Sequence, residues 1–241
     1  MIQHWTLAKH GNSPEENEDA SAEGAGIVVV ADGVTDAYES RRWAQLLVKD
    51  LVACDAAAYH ADPDGCFWQQ VSAAQIRWAD WLGGEALAWN ERQKAALGSS
   101  AAVALLLPRP QARRARMLAC GDVLIVRVRA DASVWTWPLV SADQFTNRPS
   151  LISSRLTAPG RVATVEASYQ QGDQWLLLTD ALAAWALQRA EVETPVWDQL
   201  VAIADESTWQ QFVSAARQAG LKNDDVTLVR WGRRRRRSQK G

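Results

Sequence analysis

The sequence predicts an α+β fold in which packed, mainly antiparallel β-sheets carry helices on their outer faces. Three observations predict it. Helical patterns gather in groups that bracket a central block of strands. Strand and helix do not alternate regularly, which argues against a doubly wound parallel sheet. The strongest strand signal, Gly26-Ile27-Val28-Val29-Val30-Ala31, is an unbroken β-branched run that stops at Asp32-Gly33, as expected of a buried strand.

From Ser40 onward, Trp43, Leu46, Leu47, Leu51 and Cys54 recur at helical spacing and predict one amphipathic helix to about Ala58. Pro63 and Gly65 mark a break between His60 and Gly65. A second long helix then carries Phe67, Val71, Ala74, Trp78 and Trp81 on one face and weakens at Gly83-Gly84. Strands are expected over Ser99–Leu107 and Ala115–Ala119, with Gly121-Asp122 as a hairpin turn into Val123–Val128. Val134–Trp137 adds another strand, and Ser141–Pro159 reads as loop. Val162–Ala167 and Trp175–Thr179 are strands, the latter ending at Asp180. Helices follow over Leu182–Ala190, Val196–Ala204 and Trp209–Gln218, with Gly220 as C-cap, and Val226–Trp231 closes as a strand.

The 241 residues suffice for one large domain with a sizeable core, and no interdomain linker or repeat is evident. Residues 1–231 are read as that domain and 232–241 as a basic, disordered tail. Residues 230–241 hold seven Lys and Arg and no acid, so the remainder carries 19 basic against 28 acidic side chains, a body of −9. Arg233–Arg237 offers a surface for nucleic acid, anionic membrane or an acidic partner. Trp231 is the only aromatic beside it, which weakens the nucleic-acid reading. No run approaches a membrane span and Met1–Trp5 lacks a charged-then-apolar signal, so a cytoplasmic protein is expected. Cys54, Cys66 and Cys120 form no close pair and argue against a disulfide framework or a zinc knuckle. The thirteen Trp are read as packing, with Trp43, Trp78, Trp81 and Trp185 at core spacing.

Several aspartates fall at strand ends or turns, where a rigid backbone aims a short side chain predictably. Asp32, Asp122, Asp180 and Asp224-Asp225 are placed so, and Asp19 precedes the first strong strand. Carboxylates delivered from separate strand ends can converge on hard divalent cations, which prefer oxygen ligands. Taken singly, each aspartate reads first as a turn or cap residue. Thiol-phosphatase chemistry is excluded, because six positions beyond the three cysteines stand His60, Ser72 and Val126 in place of the Arg of Cys-x₅-Arg. No Gly-rich loop followed by Lys-Ser/Thr is present, so a nucleotide-hydrolysing P-loop is also unsupported.

Taken in order, Asn17-Glu18-Asp19-Ala20, Val30-Ala31-Asp32-Gly33, Gly98-Ser99-Ser100-Ala101, Cys120-Gly121-Asp122, Leu177-Leu178-Thr179-Asp180 and Asp224-Asp225-Val226-Thr227-Leu228-Val229 resemble the type-2C metal-dependent serine/threonine phosphatases, in a divergent bacterial branch. The resemblance spans nearly the whole chain. It implies a four-layer sandwich, two packed sheets flanked by helix pairs, with two Mn²⁺ or Mg²⁺ ions at one end. It implies that Asp32 bridges both ions, that the Gly33 carbonyl joins one, and that Asp180 and Asp224 bind the other. Glu18 and Asp19 match an acidic pair acting through metal-held water, and Asp122 matches a residue that helps hold a third ion in some members.

The chain departs from that pattern at three places. Pro14 stands where many members have a phosphate-holding Arg, which leaves His10 and Lys9 as candidate cations. Ala181 replaces a usual Gly. Ala184 replaces an Asp that often helps bind the third ion, which places a third ion in doubt. The function implied is hydrolysis of phosphoserine or phosphothreonine on proteins, opposing a kinase in bacterial signalling. Its partners would be a phosphorylated protein and the cognate kinase or that kinase's target. The alternative is a catalytically weak relative that binds a partner protein.

Overall fold

Residues 1–146, 149–156, 162–192 and 195–232 are described by a computed structural model. In chain order the strands are β1 (Ile2–Leu7), β2 (Asp19–Gly24), β3 (Ile27–Gly33), β4 (Ser100–Arg109), β5 (Arg114–Cys120), β6 (Leu124–Val128), β7 (Val134–Trp137), β8 (Ile152–Ser153), β9 (Ala163–Ser168), β10 (Gln174–Leu178) and β11 (Val226–Trp231). The helices are α1 (Ser40–Leu51), α2 (Ala56–Ala61), α3 (Pro63–Gly84), α4 (Trp89–Leu97), α5 (Asp180–Glu191), α6 (Val196–Ala202) and α7 (Glu206–Gln218).

Two sheets form, β1-β11-β10-β6-β7 and β2-β3-β4-β5-β9, the second with β8 paired to β4, and the pairings in both are antiparallel. The period-two alternation of a strand explains the layers. Ile27, Val29 and Ala31 pack under α1 and α3, while Val28 and Val30 face the other sheet. In that sheet Trp175 and Leu177 face inward, and Leu176 and Leu178 turn to α5 and α7. Helices, sheet, sheet and helices thus stack as four layers, each central strand being apolar because both of its faces are covered. Trp43, Trp78 and Trp185 are buried as packing residues, while Trp81 is half-buried under the Arg42 guanidinium, 4.2 Å away.

The predicted helix to Ala58 divides in two. It ends at Leu51, and Asp55 then caps α2 by accepting from the Ala57 N–H at 3.0 Å. Pro63, read as part of a break, is the first residue of α3, where a missing N–H costs nothing, with Asp62 as its cap. This turn brings the Cys54 and Cys66 sulfurs into contact, with Cα atoms 7.4 Å apart, which corrects the expectation that no two cysteines lie close.

A second correction concerns Gly121-Asp122. β5 and β6 do not pair as a hairpin; they lie in different sheets, and the turn carries the chain from one to the other. Gly121 has φ +99°, and a Cβ there would collide with Ala102 on β4, so glycine is demanded twice over. Arg230, counted with the basic stretch by sequence, is buried within β11, and Arg233–Arg237 lies outside the described residues. Among the described residues no helix is long and apolar enough to cross a membrane.

Candidate metal centre

The antiparallel register of β2 and β3 sets Asp19 directly opposite Asp32. Asp180 begins α5 one residue beyond β10, after the N-cap Thr179, and its backbone N–H donates to Asp32 Oδ2 at 3.2 Å. Asp122, delivered by the crossover turn, feels the charge of Asp180, and Asp224 precedes β11 on the same side. The aspartates singled out by their strand-end positions are therefore brought together from separate elements.

Their electrostatics follow from that crowding. Burial first, opposed by hydrogen bonds from Thr227 and Thr179, sets the Asp19 carboxyl well above its usual range. Asp32 is likewise raised, by burial and then by the charges of Asp19 and Asp180; it keeps some open surface, yet protein surrounds it closely. Asp180 is raised chiefly by burial, and Asp122 is pushed up to about 6 by burial and by Asp180. Like charges this close oppose joint ionisation unless a cation joins them.

Among the described residues, Lys222 brings a positive charge against the group. Lys222 Nζ lies 2.6 Å from Asp224 Oδ2, and its charge acts on Asp180, Asp32 and Asp122 as well. Its own pKa is raised, first by the hydrogen bond to Asp224.

A ring of hydrogen bonds fixes the base of the site. Thr179 Oγ1 donates to Asp19 Oδ2 at 2.9 Å and accepts from the Thr227 N–H at 2.9 Å. The Thr227 and Thr6 hydroxyls meet at 2.8 Å, Asn17 Nδ2 donates to Thr6 Oγ1 at 2.8 Å, and Asn17 Oδ1 accepts from the Asp19 N–H at 2.9 Å. Asp225 is a strut, accepting from the backbone N–H groups of Lys9 at 2.8 Å and Glu18 at 2.7 Å. Gly33 has backbone against it on two sides, and a Cβ there would lie 2.8 Å from the Glu18 carbonyl and 3.0 Å from that of Ser40.

The remaining candidates are placed as follows. Glu18 is engaged by the Ser40 hydroxyl and by Lys9 Nζ at 3.3 Å, so its carboxylate ties the residue before β2 to the start of α1. His10 is exposed, its backbone clasped by Asn223, and its imidazole has no hydrogen-bond partner among the described residues. Among the described residues no three acidic, His or Cys side chains are set around one point as a closed metal cage. Each carboxylate is drawn to a hydrogen bond of its own: Asp19 to Thr179, Asp32 to the Asp180 N–H, Asp180 to the Ala181 N–H, Asp224 to Lys222. The donor set, buried oxygens with raised pKa values beside a tightly packed glycine, nonetheless suits hard divalent cations.

Asp122 gives a pH prediction. An unfolded Asp loses its proton near pH 4, whereas the folded one holds it to about 6. Its burden on stability is therefore absent below pH 4, grows between 4 and 6, and is full above 6. Asp122→Asn should raise the melting temperature of chelator-treated protein at pH 7.5 and leave it nearly unchanged at pH 4. The gain is about 3 kcal/mol at most, less whatever solvent access at Asp122 screens. Equal melting curves at the two pH values for both proteins would refute it.

No protein-family model matches the sequence, and no curated protein matches it. Solved structures do. The serine/threonine phosphatase PstP/Ppp of Mycobacterium tuberculosis is 14% identical, with TM-score 0.66 over 96% of this chain and 98% of that one. The catalytic domain of PstP in complex with 2 manganese ions is 16% identical, with TM-score 0.61 over 95% and 96%. PppA of Pseudomonas aeruginosa, described as a key regulatory component of T6SS, is 20% identical, with TM-score 0.62 over 95% and 96%. The four-layer fold of this chain is that of the type-2C serine/threonine phosphatases, the group its ordered aspartate motifs resemble.

Proposed function

We propose that this protein hydrolyses phosphoserine or phosphothreonine on proteins with the aid of two Mn²⁺ or Mg²⁺ ions, opposing a kinase in the cytoplasm of a bacterium. The observation that carries this reading is the convergence of Asp19, Asp32, Asp122 and Asp180 from separate strand ends in a fold shared with serine/threonine phosphatases.

Asp32 would hold both ions, with the Gly33 carbonyl joining it on one and Asp180 and Asp224 on the other, and Glu18 and Asp19 would act through bound water. When bound, such ions supply a water ionised at neutral pH and neutralise charge on the phosphoryl oxygens. The hydrogen-bond ring through Thr179 and Thr227 keeps Asp19 in place, and the Asp180 N–H orients Asp32. His10, exposed on the rim, is the proposed donor to the substrate phosphate. No protein nucleophile is needed. The free thiol, Cys120, is buried with its pKa pushed up to about 11, the opposite of an activated thiolate. Asp122 has Lys222 as a countercharge and Ala184 beside the same cleft, so a third ion is not part of the proposal.

A catalytically weak, partner-binding relative is the second reading, favoured by the Lys222–Asp224 ion pair inside the carboxylate group. One assay separates them. Turnover of p-nitrophenyl phosphate and a phosphothreonine peptide is expected with added Mn²⁺ and should vanish with chelator. Full activity after chelation sinks the metal-dependent reading; no activity at any metal concentration favours the second.

A further inference from the structure

A cleft of about 590 Å³ adjoins the carboxylate group and shares Asn17 and Asp19 with it. Four basic side chains, Lys9, His10, Arg41 and Arg217, line it from the β1–β2 loop, α1 and α7. The one exposed acid in its wall, Glu206, is held by Gln210 Nε2 at 3.1 Å. The rest of the domain runs the other way, because outside residues 230–241 the chain carries 19 basic against 28 acidic residues. A concentration of positive charge on an acidic body focuses attraction on one place.

These cations differ in what already occupies them. Lys9 is paired with Glu18 at 3.3 Å. Arg217 Nη2 donates to the carbonyls of Ala8 and Asp224, both at 2.9 Å, while its Nε is buried with no acceptor. Arg41 spends one donor on the Pro14 carbonyl at 2.9 Å and has no carboxylate partner among the described residues. A guanidinium fork with most donors unspent matches a carboxylate in bidentate fashion. The wall is also preset: the backbone of Lys9 is fixed to Asp225 at 2.8 Å and that of His10 to Asn223 at 2.7 Å. Little ordering is left for a ligand to bear.

We infer that this cleft docks an acidic segment of the phosphoprotein lying next to the phosphorylated residue, with Arg41 as the specificity-determining side chain. The inference rests on the phosphatase reading for the identity of the substrate. A phosphoryl group alone leaves most of the cleft unfilled, and the basic groups are spread along it from α1 to α7. That spread fits carboxylates on neighbouring residues of an extended chain.

The test uses two phosphothreonine peptides that differ only in carrying Asp/Glu or Lys/Arg at the flanking positions. Their kcat/KM values are compared on the wild-type chain and on Arg41→Gln and Arg41→Glu, with circular dichroism checking that each variant folds. Binding of the same peptides to Asp32→Asn protein, with and without Arg41→Gln, is read separately by fluorescence anisotropy. The acidic peptide should be favoured by about tenfold or more, the worth of a hydrogen bond to a charged group. The preference should shrink in Arg41→Gln and disappear or invert in Arg41→Glu. Equal handling of the two peptides, or a preference untouched at Arg41, overturns the inference while leaving the phosphatase reading intact. An oligonucleotide of equal charge binding as well as the acidic peptide assigns the cleft to polyanions at large and also overturns it. If nothing is hydrolysed, p-nitrophenyl phosphate included, the phosphatase reading fails, and the anisotropy preference alone decides whether the cleft binds acidic chain.

Discussion

Asp32→Asn is expected to abolish hydrolysis while making the metal-free protein more stable. Under the proposed function Asp32 touches both ions, and losing two-metal catalysis removes several kcal/mol of transition-state stabilisation, on the order of 10³-fold or more in rate. Stability should move the opposite way. Asp32 faces Asp19 across the β2–β3 register and also feels Asp180, so its carboxyl is held well above the usual range. Such a group costs the folded state nothing below its unfolded pKa, and the cost grows as pH rises from there to the folded value. Asn removes the charge and keeps an oxygen able to accept from the Asp180 N–H, which now bonds Asp32 at 3.2 Å. Chelator-treated Asp32→Asn should melt several degrees above wild type at pH 7.5, and the gap should close toward pH 4. A folded variant with near wild-type turnover would remove Asp32 from the centre of the mechanism.

The second large effect falls on stability. Trp43→Ala should lower unfolding free energy by about 3–5 kcal/mol, the range for deleting a buried aromatic side chain. Trp43 is fully buried between its sheet and α3, edge-on to Trp78 at 6.0 Å between ring centres. Its indole N–H also donates to the Ile152 carbonyl at 2.9 Å, an acceptor that alanine leaves unmet. For a domain of this size the melting temperature should fall by roughly 6–20 °C. Trp43→Phe should lie between, retaining much of the packing and losing the hydrogen bond. A change below about 1 kcal/mol for alanine would contradict the placement of this residue in the core. The effect should reach the site, because α1 also carries Ser40, which holds Glu18, and Arg41.

How much of this was legible in the sequence depended on burial. β3 announced itself because both of its faces are covered, which makes Ile27–Ala31 continuously apolar. β1 and β2 gave no such signal, since both are edge strands and β2 reads Asp-Ala-Ser-Ala-Glu-Gly. α4 was silent for a related reason: most of it is exposed, including Trp89 and Leu97. The aspartates were legible as strand-end residues, and the fold does gather them. The residues that govern their chemistry were not. Thr179 meets Asp19 across 160 positions and Lys9 meets Asp225 across 216, and no local pattern announces a contact of that range. Lys222, two residues from Asp224, was within reach of inspection, but a lysine beside an acidic pair reads as an ordinary surface charge.

The order of strands in one sheet has a consequence for the timing of synthesis. β11, made after every other strand described here, lies between β1, made before them, and β10, with Ile2 opposite Trp231 and Leu178 opposite Leu228. Thr227 of β11 also joins Thr6 of β1 to Thr179 beneath Asp19. A nascent chain that has not yet delivered β11 therefore has neither a closed sheet nor a seated Asp19, and pairing of this range is slow to form. The aspartate group is therefore assembled only once β11 has been made. Under the proposed function, a nascent chain that lacks β11 has no assembled centre with which to act on phosphoproteins.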